Sequence, residues 1–533
     1  MKKIRYTMLL LGFLSAVMMS IPFLVPHTGV LALFGLVPLL CMERIATNSG
    51  LKHFWWWHYG TFVLWNAITT FWVCNATVGG AVFAILANSL QMSVIFGLFR
   101  WTRKRLGGVL PYVFLPAAWI AWEKWYLTLS QISWPWLVLG NSFAGSVGLV
   151  QWYSVTGSLG GSLWVWGSNL AVFGIMVALS DGRWQKQFNI KAKAAAIASS
   201  ALVIFAPMVW SAILWNNYEE TSEPLDVIIA QPNLDPYQKF QSLTQEQQTA
   251  IIMGQFSSAL EGKENKPRLL LTPETFTNDV VVGDVTSGKT YRRFASLTEN
   301  YPGTNVLFGA SSYEIFDERP SILSRQFNGK WYESHNSAIM VRDDDDYDIY
   351  HKSKLVVGVE MTPYPKIFVP IDNLLGGVMG RNVGQKEVSL LDFRYGDKVV
   401  PTGCAICYES VYGEHCAEYV RKGAKLLTVI TNDAWWGDTP GYRQHLTYSS
   451  LRAIETRRDI ARCANTGISA IINQRGEILE RTPWWEPAIL EGTVNLSDKI
   501  TPFVRVGDIV GRLSVFVFSL LLLAAIVRIK KFS

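Results

Sequence analysis

Charge is scarce in this chain: Asp, Glu, Lys and Arg make up 17% of its 533 residues, while 50% are hydrophobic. That balance excludes both intrinsic disorder and a single soluble domain of ordinary size. The six cysteines and seven histidines show no paired CxxC or HxxxH spacing, so nothing nominates a zinc site. No internal repeat or low-complexity segment is present. A net charge of +6 would suit nucleic acid, but the basic residues gather in short connections between apolar runs, the pattern of membrane topology. No nucleic-acid partner is therefore expected. Lys and Arg are missing altogether from 26–28, 75–77 and 128–158, which makes those stretches the opposite connections.

A bilayer core needs roughly 20 apolar residues per helix. Candidate runs fall at about 7–25, 29–42, 55–74, 78–99, 109–127, 159–180, 194–214 and 508–527, predicting about eight crossings. The second run is short, Pro22, Pro26 and Pro38 interrupt the region, and a cleaved signal peptide is the competing reading of residues 1–25. Lys2, Lys3 and Arg5 precede the first run; Arg44 and Lys52 follow the second. Arg100, Arg103, Lys104 and Arg105 follow the fourth, Arg183, Lys186, Lys191 and Lys193 the sixth, and Arg528, Lys530 and Lys531 the last. The positive-inside rule then makes both termini cytoplasmic. The expected domains are a membrane part over 1–215, an extracytoplasmic part over 216–506, and a final helix with a cytoplasmic tail over 507–533. Glu123, Lys124 and Arg512 lie near outer helix ends, where intramembrane function and snorkelling both fit. Trp134, Trp136, Trp152, Trp164 and Trp166 suit an interfacial aromatic belt.

Within 216–506 short apolar runs alternate with helix-like stretches, an α/β pattern whose sheets need helical cover. Strands are expected at 225–230, 268–272, 305–310, 336–341, 399–407, 425–431 and 468–473, and amphipathic helices at 246–260 and 445–464. The acidic run Asp343, Asp344, Asp345, Asp346 lacks EF-hand spacing and reads as a solvated turn rather than a calcium loop.

Three stretches of this polar segment carry chemistry: LLLTPET (269–275), IYHKSKL (349–355) and GCAICYES (403–410). They supply a carboxylate, an ammonium and a thiol, with Cys407 at the end of an apolar strand where a nucleophile can be exposed. A thiol attacks an ester only as thiolate. Glu274 can take its proton, and Lys352 can hold positive charge beside both thiolate and oxyanion. Taken singly, each has an ordinary explanation: a charge at a helix N-terminus, a solvated lysine, a core cysteine. Cys404 and Cys407 form a CxxC, but residues three apart on a strand point to opposite faces, which leaves Cys404 as the packed member. A structural disulfide among Cys404, Cys407, Cys416 and Cys463 stays open. No spacing of His335, His351, His415 or His445 nominates a Cys-His pair.

Together these stretches resemble the carbon-nitrogen hydrolase (nitrilase) superfamily, whose site is a Glu-Lys-Cys triad on an α-β-β-α sandwich; with eight helices, the chain looks like that superfamily's apolipoprotein N-acyltransferase family. The resemblance spans essentially the whole chain. It rests on TPET around Glu274, YHK ending at Lys352, GVE ending at Glu360, CYES around Cys407, TNDAWWG (431–437), RAIETRR (452–458) and NTG (465–467). It implies Glu274 as general base, Lys352 as stabiliser of tetrahedral intermediates and Cys407 as carrier of an acyl thioester, with Glu360, Tyr408 and Glu409 as accessory residues. One departure is KLVVGVE (354–360), where Lys354 and Val357 replace a His and a Pro of the family pattern. The implied reaction takes a fatty acyl chain from a membrane phospholipid and delivers it to the α-amine of a diacylglyceryl-cysteine apolipoprotein at the bacterial inner membrane. The catalytic domain would be periplasmic, and no metal or cofactor is implied.

Two other readings stand beside this one. The triad alone does not separate transfer from hydrolysis by a membrane-tethered amidase, and a non-catalytic scaffold would keep the fold. Eight helices favour lipid substrates, and three intact residues favour an enzyme. The segment between Lys352 and Gln385 is apolar with clustered glycines; it reads as a mobile arm dipping into the outer leaflet, or else as a buried helix of the sandwich.

Overall fold

The computed structural model describes residues 2–182, 189–236, 243–342 and 346–529. Arg183 and Lys186 of the basic connections, Lys530 and Lys531 of the tail, and Asp343, Asp344 and Asp345 of the acidic run lie outside the described residues. The chain forms two compact units. One comprises Met1–Ser130, Trp134–Tyr218 and Val506–Ser533; the other comprises Gln131–Ser133 and Glu219–Arg505.

The first unit is helical. Among the described residues, six helices are long and apolar enough to cross a membrane: Lys2–Leu24, Gly29–Asn48, Val78–Arg103, Ser158–Ser180, Ile190–Asn217 and Ile509–Val527. The remaining two runs expected to cross form the helices Trp55–Thr70, of 16 residues, and Leu110–Thr128, of 19. Polarity is arranged for an apolar solvent. Leu10, Phe83, Leu202, Phe205 and Phe516 are exposed, while Asn66, Asn88, Thr69 and Ser20 are buried. Those polar side chains bond across helices, Asn88 Nδ2 to Asn66 Oδ1 at 2.7 Å and Thr69 Oγ1 to Ser20 Oγ at 3.2 Å. Hydrocarbon offers them no water, so interhelical partners are the available alternative. Buried Glu43 takes Arg100 Nε at 3.4 Å and also pairs with Arg103, and Arg44 pairs with Asp181. Glu123 accepts from Trp119 Nε1 at 3.1 Å and from Leu139 N at 2.9 Å, and Lys124 faces Asp508 at 3.6 Å. The Arg512 guanidinium donates to the carbonyl of Val506.

The tryptophans do not form a belt. Trp136, Trp152, Trp164 and Trp166 are buried inside this unit, with Trp134 stacked on Trp136 at 5.5 Å and Trp72 against Trp136 at 4.9 Å. Such large rings bury more area against one another than any other side chains do.

The second unit is built on two sheets. The first contains β1 (Pro224–Gln231), β2 (Arg268–Leu271), β3 (Thr277–Val281), β4 (Thr304–Phe316), β5 (Arg325–Phe327), β6 (Lys330–Val341) and β7 (Tyr347–His351). The second contains β8 (Leu391–Tyr395), β9 (Lys398–Ile406), β10 (Leu426–Thr431), β11 (Ile460–Ala464), β12 (Ala470–Ile472) and β13 (Ile478–Arg481); the last strand, β14 (Ala488–Asn495), returns to the first sheet. Strand order is β14-β1-β2-β4-β6-β5 in the first, with β3 on β4 and β7 on β6, and β13-β12-β11-β10-β9-β8 in the second. Neighbours β1, β2 and β4 run parallel, as do β9, β10 and β11.

Alternation along the strands sets the layers. Val227, Ile229, Leu269, Leu271 and Leu307 pack with Cys404, Ile406, Leu427 and Val429 of the second sheet. Their neighbours Ile228, Leu270, Val306 and Phe308 turn the other way, onto Ile252 and Phe256 of the helix Gln245–Leu260 and Phe294 of the helix Lys289–Asn300. Tyr419, Val420, Leu446 and Ala453, from the helices Gly413–Arg421 and Pro440–Thr456, share the core with the second sheet. The result is the α-β-β-α sandwich.

The helix expected over 445–464 is two elements. It ends at Thr456 because Arg457 takes a left-handed conformation (φ 52°), and Ile460–Ala464 then extends as β11 beside β10. An amphipathic pattern can continue through a helix end when the strand that follows is buried on both faces. The segment after Lys352 is not core. Its helix Pro365–Leu374 exposes Ile367, Ile371 and Leu374, and Leu375 and Val378 beyond it are exposed too.

Candidate active site

Three strand ends converge here. Glu274 lies just after β2, Lys352 directly follows β7, and Cys407 directly follows β9. Parallel strands deliver their C-terminal ends to one edge of a sheet, where open α/β folds place ligands. The approach of Glu274 to β4 requires Gly309: a Cβ there would lie 2.4 Å from the carbonyl oxygen of Pro273 and 2.7 Å from Cα of Glu274.

The charged cluster is closed on itself. Lys352 Nζ donates to Glu274 Oε1 at 3.0 Å and to Glu360 Oε1 at 2.9 Å. Asn336 Nδ2, from β6, donates to the same two oxygens at 2.7 and 2.8 Å. The second oxygens are also held, Glu274 Oε2 by Asn432 N at 3.2 Å and Glu360 Oε2 by Val356 N at 2.7 Å. Burial works against the charge of Lys352, but Glu274 and Glu360 outweigh it and keep the ammonium protonated well above its ordinary range. An ammonium has three N–H donors. Two are committed to carboxylates, which leaves one for an oxygen that develops charge in the site.

Cys407 is partly buried and adopts φ 53°, a left-handed conformation that costs a residue with a Cβ roughly 1–2 kcal/mol. Two side chains meet its carbonyl oxygen, Ser410 Oγ at 2.8 Å and His445 Nε2 at 3.0 Å. Burial and the Glu274 carboxylate push its thiol up, with Lys352 pulling the other way. At rest it is therefore a thiol, and a nucleophilic role would require its proton to leave.

Glu409 braces the elbow against the lysine strand. Its Oε2 accepts from Ile406 N at 2.8 Å; its Oε1 accepts from Ser353 N at 2.6 Å, Lys354 N at 3.1 Å and Tyr350 OH at 2.7 Å. Burial opposes its charge, but His415 at 3.2 Å and these donors bring its pKa below the usual range. Tyr408 turns elsewhere, its hydroxyl donating to Ser133 O at 3.0 Å. Tyr412 bonds Ser133 Oγ at 2.7 Å, and Tyr364 N donates to Gln131 Oε1 at 2.7 Å.

Of the residues nominated from sequence, the structure brings Glu274, Lys352 and Glu360 into direct contact and sets Glu409 behind Cys407. Sequence reasoning missed Asn336; the one available signal was a polar residue opening the apolar run NSAIMV (336–341). Cys404 is buried in the core, and all six cysteines are free. Among the described residues, no group of His, Cys, Asp and Glu is arranged to hold a metal ion.

Residues 15–171 match the apolipoprotein N-acyltransferase N-terminal domain, and residues 286–500 match carbon-nitrogen hydrolase. The chain belongs to the apolipoprotein N-acyltransferase family, within the carbon-nitrogen hydrolase superfamily. The apolipoprotein N-acyltransferase of Chlorobaculum tepidum is 28% identical over 94% of this chain and 93% of its own length. That of Geobacter metallireducens is 26% identical over 94% and 92%. Among solved structures, Nit3 of Saccharomyces cerevisiae, a member of branch 10 of the nitrilase superfamily, is 15% identical, covering 54% of this chain and 93% of that one at a TM-score of 0.36. Lys352 and Cys407 fall inside the carbon-nitrogen hydrolase match, and Glu274 lies just before it.

Proposed function

We propose that the chain takes a fatty acyl group from a membrane phospholipid as a thioester on Cys407 and passes it to the N-terminal amine of a diacylglyceryl-cysteine apolipoprotein. As a member of its family it is an acyltransferase of the bacterial inner membrane that N-acylates lipoproteins. The observation that carries the finer reading is the closed Glu274–Asn336–Lys352–Glu360 cluster beside a thiol in a left-handed elbow.

In the first half-reaction Glu274 takes the proton of Cys407 as Sγ attacks the ester carbonyl. The third N–H of Lys352 meets the oxyanion. Collapse breaks the C–O bond, and Glu274 returns the proton to the departing lysophospholipid alcohol. In the second half, the amine attacks the thioester, Glu274 takes its proton, the C–S bond breaks leaving an amide, and Glu274 returns the proton to the departing Sγ. Glu360 keeps Lys352 in place through both halves, and Glu409 holds the two loops in register.

Glu360 also sits in the neck of the apolar arm. Asn382 N donates to Glu360 O at 2.8 Å and Gly380 N to Gly358 O at 3.1 Å, closing the base of the excursion. Leu374, Leu375 and Val378 at its tip are more than 70% exposed, which fits a tip immersed in the outer leaflet where both substrates reside. The distribution of Lys and Arg favours a periplasmic catalytic part with both termini cytoplasmic.

Purified protein incubated with phospholipid and a synthetic diacylated lipopeptide tests the proposal by intact mass. An acyl adduct on the protein but not on Cys407→Ala, followed by a triacylated peptide, is the expected result. Free fatty acid without acylated peptide would make the chain a hydrolase, and an adduct on Cys404 would move the nucleophile.

A further inference from the structure

Behind Cys407 lies a buried relay that the acyl-transfer chemistry does not use. Asp433, two residues beyond β10, accepts from Arg462 Nη2 of β11 at 2.7 Å and from Thr431 Oγ1 at 2.8 Å. Its Oδ1 also lies 2.9 Å from His445 Nδ1, on the helix Pro440–Thr456. His445 Nε2 in turn lies 3.0 Å from the carbonyl oxygen of Cys407. A carbonyl oxygen only accepts, so Nε2 of His445 is the donor to Cys407, while Nδ1 lies between Asp433 Oδ1 and Arg462 Nη2, the latter at 3.1 Å. Ser410 Oγ, 3.0 Å from Nε2, already donates to that same carbonyl. Asp433, Arg462 and His445 are all fully buried, and Trp436 closes the ring edge-on at 5.4 Å. Burial opposes the charge of Asp433, but Arg462 and His445 bring its pKa down to about 2.

We propose that His445, oriented by Asp433, is a positioning residue that locks the Cys407–Tyr408 peptide and so holds the nucleophile in its left-handed elbow. A planar trans peptide has one orientation for both its ends. Pinning the carbonyl of Cys407 therefore fixes the direction of the Tyr408 N–H and limits the rotation that would swing Sγ away from Glu274 and Lys352. This inference rests on Cys407 being the nucleophile, the reading argued above.

The test compares His445→Gln with His445→Asn. A glutamine amide nitrogen reaches the position of Nε2 and can still donate to the Cys407 carbonyl, whereas that of asparagine reaches only the position of Nδ1. Acylation by phospholipid and alkylation of Cys407 by iodoacetamide are measured on the folded, full-length protein. A misplacement of about 1 Å can cost roughly a hundredfold. His445→Asn is expected to lose about that much in acylation and to change its alkylation rate, while His445→Gln stays within about tenfold of the parent in both. Equal loss in the two folded variants overturns the proposal. So does failure of both to fold, since that would make His445 a residue of the fold rather than of the elbow. If the parent itself is not acylated by phospholipid, the donor assignment fails; the alkylation rates still decide the role of His445.

Discussion

Cys407 is a thiol whose pKa is raised by burial and by Glu274 and lowered by Lys352, which gives each neighbour an opposite signature. In the parent, alkylation by iodoacetamide is expected to be slow near neutrality and to rise about tenfold per pH unit as the thiolate fraction grows. Glu274→Gln removes a charge that disfavours the thiolate, so its profile shifts to lower pH and alkylation at pH 7 is faster than in the parent. Lys352→Met removes the charge that favours it, and its profile shifts to higher pH. Both lose acyl transfer, the first for want of a base and the second for want of an oxyanion partner, by about a hundredfold or more. Shifts of the same sign in the two variants would remove one of them from its electrostatic role. Asn336→Ala is a separate case. It leaves buried Glu274 and half-buried Glu360 each short of a donor, at a cost of about 1–3 kcal/mol for the buried one, and is expected to lower both melting temperature and acylation rate; an unchanged melting temperature would show that water replaces the amide. Glu274, Lys352 and Cys407, the proposed triad, were legible as candidates because each sits in a short motif at a strand end. Asn336 was not, because its role arises from the pairing of β6 with β7, where Lys352 N donates to Asn336 O at 2.8 Å, and no local pattern announces a cross-strand partner.

Single elements divide the legible from the illegible in the same way. Apolar runs such as 225–230 and 425–431 announced β1 and β10 because both faces of those strands are covered. Strand β11 was read as helix because RAIETRRDIARCA keeps an apolar spacing that suits either, and the break depends on one left-handed residue, Arg457. Strands β7 and β8 went unseen because they are mixed in polarity and take their places by pairing with β6 and β9. The apolar arm is the element whose sequence permitted two opposite readings, and exposure decides between them. Val369 and Asp372 face inward, Asp372 accepting from Met379 N at 2.9 Å and Arg381 Nη2 at 3.1 Å, while the tip residues stay outside. Replacing Leu374, Leu375 and Val378 by Ser is therefore expected to leave the melting temperature within about 1–2 °C, because exposed substitutions cost little. Acylation by phospholipid should fall about tenfold or more, while acylation by a short water-soluble thioester stays near the parent value. Loss of both reactions together would take the arm out of lipid entry and place it in the site itself.

For the whole molecule, the inversion of polarity between the two units carries the argument. The helical unit buries Asn66, Asn88 and Glu43 and exposes leucine and phenylalanine, whereas the sandwich buries its apolar strands between two sheets. A chain with both patterns is solvated by lipid in one part and by water in the other, and the only free choice left is the side on which the watery part lies. The proposed side rests on the number of Lys and Arg: four occur in 100–105 and four in 183–193, against none in 75–77 or 128–158. Each short basic connection resists translocation, so in the orientation proposed above the connections bearing charge would stay in the cytoplasm and residues 216–506 would be carried across. Reporters active only in the cytoplasm should work when fused after Arg105 or Lys186, and a reporter active only outside should work when inserted near Asp344. Reversing the bias, by adding four lysines to 128–133 and replacing Arg100, Arg103, Lys104 and Arg105 with Gln, should shift part of the population to the opposite orientation and reduce lipoprotein acylation in proportion. A reporter pattern opposite to this one in the parent would put Cys407 on the side of the membrane away from the mature N-termini it is proposed to acylate, and the acceptor assignment would have to be withdrawn even if the thioester formed.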